Sequence, residues 1–267
     1  MHLSQAHLNL LTSCPRKFQQ TYLEQLGSPT SPEQQERLTQ GSQFHLLLQQ
    51  WQLGLPVEPL LVANPLLQKW FRGFEAKAPE ILAIGGEASP IAASEHNRTL
   101  EYQGFLLTVV YDLLILGQHQ AKILDWKTYP RPQRAGHLLN NWQTRLYLFI
   151  LAETTAYAAA DLSMTYWFFQ AGAEDGAELQ SLVIPYSDQR HAQTGQDLER
   201  LLGQLTHWLA AYQQGQPLPL TPLTLQECDR CSYTNRCYGS QGRQPVASEA
   251  EPAFDLPNLA EIAEVPL

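Results

Sequence analysis

The stretch "AKILDWKTYPRP", Ala121 to Pro132, sets Asp125 and Lys127 two residues apart in an otherwise apolar run. Side chains two apart share one face of a strand. A carboxylate and an ammonium on a buried strand face need partners. The preceding segment supplies one. "TVVYDLLILGQHQAKILDWKT" reads as two strands around a tight turn, and a two-residue loop at Gln118 and His119 sets Gly117 opposite Gln120. Stepping back along both strands brings Asp112 directly opposite Asp125. Opposed side chains lie roughly 5 Å apart, and two like charges there are destabilising unless a cation lies between them. The nearly continuous apolar runs "VVYDLLIL" and "KILDW" indicate strands covered on both faces. The competing reading is an Asp-x-Lys triplet on a solvated strand face.

Two carboxylates, a divalent cation and an ammonium suit hydrolysis of a phosphodiester. Hard oxygen ligands select Mg²⁺ or Mn²⁺. Such an ion polarises the phosphate and acidifies water, and a lysine can orient or deprotonate that water or stabilise charge on phosphorus.

Working outward, residues 4–25 read as helical, with Ser4 as a cap and Pro15 in the first turn of a second helix. A long helix follows from Ser31 to about Leu53, opened by Pro32 and closed by Gly54, then an amphipathic helix from Pro65 to Ala78. From about Glu87 to Thr128 the pattern changes to strands joined by short turns. "NNWQTRLYLFILAETT" returns to helix, "DLSMTYWFFQAG" and "ELQSLVIPYS" read as strands, and the segment from Ser187 to Gly215 is a long helix with Ser187 as its cap. The order predicts an α/β (α+β) fold: a mixed central sheet flanked by helices, with a helical N-terminal part. One domain is expected over residues 1–239, mainly helical over 1–85, sheet core over 86–186, helix and cysteines over 187–239. Residues 240–267 are expected to be a disordered acidic tail.

The chain has 267 residues, 44% of them apolar and 16% charged, as in an ordinary globular protein. No apolar run reaches the about 18 residues of a membrane span. The N-terminus lacks a basic start, apolar core and cleavage site, so a cytoplasmic protein is expected. The net charge of −9 argues against a protein that coats nucleic acid electrostatically. From Ser240 onward, Glu249, Glu251, Asp255, Glu261 and Glu264 face one base, Arg243, and the remainder is still acidic. Any grip on nucleic acid is therefore local or borrowed from a partner.

The four cysteines are Cys14, Cys228, Cys231 and Cys237. Outside an oxidising compartment such a set more often binds metal than forms disulfides. Four thiolates around one centre fit tetrahedral Zn²⁺ or an iron–sulfur cluster, and spacing does not choose between them.

With these residues the chain resembles the PD-(D/E)XK nuclease superfamily, and within it the RecB-like nucleases with a cysteine cluster. "LSQAHLNLLTSCPRKFQQTYLEQL" is similar to that group's opening helix. "GSQFHLLLQ" resembles its histidine motif, with His45 as metal ligand. "EHNRTLEYQGFLLTVVYD" resembles the next, with Glu95 upstream of a turn-like "HNRT" and Asp112 as ligand. "ILDWKT" supplies Asp125 and Lys127. "QTRLYLFIL" resembles the Gln-x-x-x-Tyr helix, with Gln143 and Tyr147 on one face. "CDRCSYTNRC" resembles the closing cysteines. The motifs span residues 3–238 in order. One departure is Val109, where the family often has glycine before the first aspartate.

The resemblance implies a restriction-endonuclease-like sheet and a metal-dependent deoxyribonuclease, an exonuclease on single-stranded DNA ends in repair, recombination or defence. It implies catalytic roles for Asp112, Asp125, Lys127, Gln143 and Tyr147. It implies Mg²⁺ or Mn²⁺ on His45, Asp112 and Asp125, with Glu95 a further candidate. It favours a 4Fe–4S cluster on Cys14, Cys228, Cys231 and Cys237, stapling the last segment to the first helices; Zn²⁺ is the alternative. Arg16, Arg131 and Arg145 are candidates to line the phosphate path. No P-loop pattern occurs, so a helicase motor would be a partner in another chain. The competing function is a non-catalytic DNA-binding or scaffold protein of the same fold.

Overall fold

The computed structural model describes residues 1–27, 30–86, 90–134, 136–169, 179–222, 228–229 and 231–239. The expected acidic tail lies outside the described residues. At the centre is the hairpin of β3 (Phe105–Leu116) and β4 (Ala121–Lys127). Its ladder pairs Leu116 with Ala121, Ile115 with Lys122, Leu114 with Ile123 and Leu113 with Leu124. The Gly117 amide donates to the Gln120 carbonyl at 2.9 Å. This is the register read from the sequence. The ladder stops there, so Asp112 and Asp125 occupy the first rank beyond it. From that rank the strands part, and β4 continues alongside β5 (Leu162–Phe168) in parallel, with Asp125 paired to Tyr166 and Lys127 to Phe168.

The other edge of β3 is covered along its length by antiparallel β2 (Ile91–Tyr102). Their turn is Gln103 (φ 55°) and Gly104 (φ 79°), both left-handed as a tight two-residue hairpin requires. The segment His96–Thr99, read as turn-like, is part of β2. A short β1 (His2–Leu3) runs parallel to Leu106–Leu107, and β6 (Gln180–Pro185) pairs antiparallel with β5. Among the described residues these form one mixed sheet, ordered β1-β3-β4-β5-β6 with β2 on the far side of β3.

Helices cover both faces, which is why the central strands are apolar on both, and three of them, α2 (Pro15–Phe18), α4 (Glu58–Ala63) and α6 (Gly136–Asn140), are short. On one face α1 (Gln5–Ser13), α7 (Trp142–Glu153) and α8 (Asp188–Gln213) bury Leu8, Ile150 and Leu202 with Ile123, Met164 and Tyr166. On the other, α3 (Pro32–Gln52) and α5 (Pro65–Leu82) bury Phe44, Leu47 and Phe74 with Leu113, Ile115, Leu124 and Trp126. Ser31 and Ser187 cap α3 and α8, accepting from the amides of Gln34 and Arg190. The helix expected to end at Ala78 continues through Pro79 to Leu82. At its end the Lys122 ammonium donates to the carbonyls of Ile81 and of the capping residue Ala83 at 2.9 and 2.7 Å.

The expected cysteine staple is not present. All four cysteines are free thiols. They border one small cavity. Among the described residues, however, the set of His, Cys, Asp or Glu side chains whose ligand atoms converge within 4.8 Å contains no cysteine. Burial first, then the neighbouring sulfurs, holds the Cys228 thiol above its ordinary pKa, and burial likewise raises Cys237. Among the described residues the cysteines therefore do not form a 4Fe–4S or zinc site, and the chain is not assigned to the cluster-bearing subgroup. The tie between the last segment and the first helices is made by hydrogen bonds instead. The Tyr233 hydroxyl donates to the Leu26 carbonyl, the Tyr238 hydroxyl to Thr221, and the Thr221 hydroxyl to Ser13 at 2.9 Å.

Candidate metal centre

Strand periodicity should put alternate residues of β3 on one face throughout. Leu107, Val109 and Tyr111 lie in the α7 and α8 core, but Leu113 and Ile115 lie in the α3 and α5 core. The facing switches at Asp112. Its rank in the β2–β3 ladder is unpaired, although Ser94–Leu113 and His96–Tyr111 pair on either side. The missing partner is Glu95, whose φ of 47° is left-handed, a conformation that costs a non-glycine residue energy. Both strands turn over together, and the two acids leave the ladder.

Helix α3 brings the third donor. Gly41, one turn before His45, faces the end of β4, where a Cβ would meet Thr128 Oγ1 at 3.3 Å. Lacking a side chain, it lets the helix approach. His45 Nδ1 then lies 3.4 Å from Asp112 Oδ1, and ligand atoms of His45, Glu95 and Asp112 all come within 4.8 Å of one another. The Trp126 peptide orients two of them: its amide donates to Asp112 Oδ2 at 2.7 Å, and its carbonyl lies 3.0 Å from His45 Nε2. A carbonyl only accepts, so Nε2 carries a proton and Nδ1 is the nitrogen left to coordinate when the ring is neutral.

Beside this set is a closed polar ring. Lys127 Nζ is 2.6 Å from Asp125 Oδ2 and donates to Gln143 Oε1 at 3.1 Å, while Gln143 Nε2 donates to Asp125 Oδ1 at 2.7 Å. Asp125 and Lys127 are 2% and 6% exposed, so this pair is desolvated and its geometry fixed. Asn141 caps α7 by accepting from the Gln143 amide at 2.8 Å, which sets the glutamine over the pair.

The charges interact strongly. Burial pulls the His45 pKa down, but Asp112 and the other acids outweigh it and lift it to about 9. Burial and then the Asp112 charge raise Glu95 to about 7. Asp112 itself is held below the ordinary range: burial opposes ionisation, and His45 and Lys127 overcome it. Burial raises Asp125 to about 6 against the pull of Lys127. Lys127 is raised despite its burial, chiefly by Asp125, and keeps its proton. A protonated imidazole and a raised carboxyl gathered on one ionised carboxylate are a donor set suited to a divalent cation, and imidazole with two carboxylates accepts Mg²⁺ or Mn²⁺.

The other predicted residues are placed differently. Tyr147 is buried, its ring edge-on to Tyr111 at 5.3 Å. Arg16 Nε donates to the Leu218 carbonyl at 2.8 Å. Arg145 stacks over Trp142 at 4.3 Å and pairs with Asp197 at 2.5 Å. Arg131 is exposed beyond β4. The Trp126 peptide and Gly41 were not found from sequence, since a backbone group leaves no residue signature. The opposition of Glu95 and Asp112 had a signal: a two-residue turn at Gln103–Gly104 aligns them.

A cation site at the fork of two acid-bearing strands, with a buried lysine held at its side, defines a metal-dependent hydrolase. The sequence narrows the class: residues 2–238 match the family model of the PD-(D/E)XK nuclease superfamily, and the chain belongs to that superfamily. No curated protein matches it. A putative exonuclease from Eubacterium rectale shares the fold with a TM-score of 0.53 at 12% identity, covering 88% of this chain and 87% of its own. A protein described as SSO0001 aligns over 91% and 87% with a TM-score of 0.38 at 11% identity.

Proposed function

We propose that the protein is a metal-dependent DNA nuclease, an exonuclease acting on single-stranded ends in repair, recombination or defence. The observation that carries this reading is the convergence of His45, Glu95 and Asp112 beside the Asp125–Lys127–Gln143 ring. His45, Glu95 and Asp112 would hold Mg²⁺ or Mn²⁺, with Asp125 as a fourth donor. When bound, the ion supplies Lewis-acid charge at the scissile phosphate. Lys127 remains protonated, so its part is to stabilise charge developing on the phosphate rather than to remove a proton. Gln143 holds Lys127 and Asp125 in place, and a preset donor needs no reorganisation during reaction. DNA is the partner that superfamily membership implies. No described helix is long and apolar enough to cross a membrane, and the cytoplasmic setting expected from the sequence fits this role.

The test is cleavage of end-labelled single- and double-stranded DNA with Mn²⁺ or Mg²⁺. Loss of metal-dependent, end-directed products in Asp112→Ala is expected. Identical traces from wild type and Asp112→Ala would refute the assignment, and internal cuts on circular DNA would refute the exonuclease reading.

A further inference from the structure

Tyr129 stands two residues past Lys127, where β4 has ended. Its ring packs edge-on against Phe168 at 5.9 Å, and Phe168 is the residue paired with Lys127 across the sheet. Its hydroxyl oxygen is shut off from solvent and has no hydrogen-bond partner. Nearly all buried hydroxyls in folded proteins are satisfied, and one that is not costs stability. Packing on Phe168 requires only the ring, so phenylalanine would serve a structural role better. The hydroxyl is thus a donor with nothing in the free protein to receive it.

Its surroundings indicate the acceptor. Burial raises the phenol to about 12, and the charges of Lys127 and Asp125 also act on it, so it remains an O–H donor through the neutral range. Lys127 already spends two donor directions on Asp125 and Gln143. A phosphate gathering charge in a transition state has more acceptor capacity than the remaining ammonium N–H fills. We propose that Tyr129 contacts the substrate, its hydroxyl donating a hydrogen bond to a non-bridging oxygen of the scissile phosphate beside Lys127. This rests on the reading of the site as a phosphodiesterase.

Tyr129→Phe separates this role from a structural one because the two move opposite readouts. On labelled single-stranded DNA with Mn²⁺, kcat should fall roughly ten- to a hundredfold, as for loss of one hydrogen bond to a charged group, with KM and Mn²⁺ affinity unchanged. The melting temperature should equal or exceed that of wild type, since an orphan polar group is removed. A kcat within about twofold of wild type would overturn the proposal. So would a fall in kcat accompanied by a lower melting temperature, which would mean that the hydroxyl holds the fold. Wild type that does not cleave would defeat the nuclease reading itself, whereas cleaving wild type with a fully active Tyr129→Phe defeats only the role of Tyr129.

Discussion

Loading the metal centre should release protons, and the structure sets how many. Coordination requires a neutral imidazole and ionised carboxylates. Without the ion, His45 sits at about 9 and Glu95 at about 7. At pH 7 the first is almost fully protonated and the second half protonated, so binding should expel about 1.5 protons per ion. His45 and Glu95 together should give about 1.9 at pH 6 and about 1 at pH 8, and Asp125, at about 6, adds about half a proton at pH 6 alone. Integrated between those limits, apparent affinity should rise about a thousandfold. The stability of the metal-free protein moves the opposite way. The folded pKa of His45 is raised above its ordinary 6.5, so its contribution is present below that value and lost as pH climbs through about 9. Glu95 is raised from 4.5, so holding it folded becomes costly as pH climbs from 4.5 through about 7. The thermal shift produced by Mn²⁺ should therefore grow with pH. Titration calorimetry with Mn²⁺ at pH 7, in buffers of different ionisation heats, reads the proton count directly. Release below about 0.5 protons, or affinity flat between pH 6 and 8, would refute the described charge coupling.

Lys127→Met should strand the Asp125 carboxylate in the interior and cost about 3–5 kcal/mol at pH 8 by chemical denaturation. The loss should shrink as pH falls from 8 toward 6, because Asp125, held down to about 6 in wild type by Lys127, sits higher without it and takes up a proton in that range; a pH-independent loss would contradict the pairing. Glu95→Asn should raise the melting temperature of the metal-free protein more at pH 8 than at pH 5, because asparagine tolerates the left-handed backbone at either pH but spares the acid cluster a charge only at the higher one. Mn²⁺ affinity should fall at least roughly tenfold in the same variant, read by calorimetry.

The central hairpin was legible because two strands of near-continuous apolar residues meet at a two-residue turn, where register follows from counting. That count placed Asp112 and Asp125 at one rank, although it could not show that the ladder ends there. His45 was harder. Among Phe44, Leu46 and Leu47 it looks like a core histidine, and the resemblance, not the residue pattern, singled it out. Strands as short as His2–Leu3, and the helices Glu58–Ala63 and Gly136–Asn140, carry too few residues to show a period. The cysteines misled for a related reason. Spacing records that thiols can meet, but ligation also needs them converged, which depends on packing around residues far apart in sequence.

The matched break at Glu95 and Asp112 explains how a regular sheet can hold this site. A bulge in β3 alone would shift its pairing by one residue and turn Leu113 through Leu116 to the wrong faces. Here both strands reverse at the same rank, so register survives on either side while the facing of β3 changes. Leu113 and Ile115 thereby pack under α3, the helix that carries His45. The same reversal removes two carboxylates from the ladder and brings them within reach of that histidine. The left-handed backbone at Glu95 and the collision of charges are the costs, and both fall where a cation would offset them. A chain selected for stability alone would place glycine or asparagine at residue 95 and an apolar side chain at 112. Retaining acids at both positions makes sense as the preparation of a cation site, with the hydrophobic cores on either face supplying the stability that the break gives up.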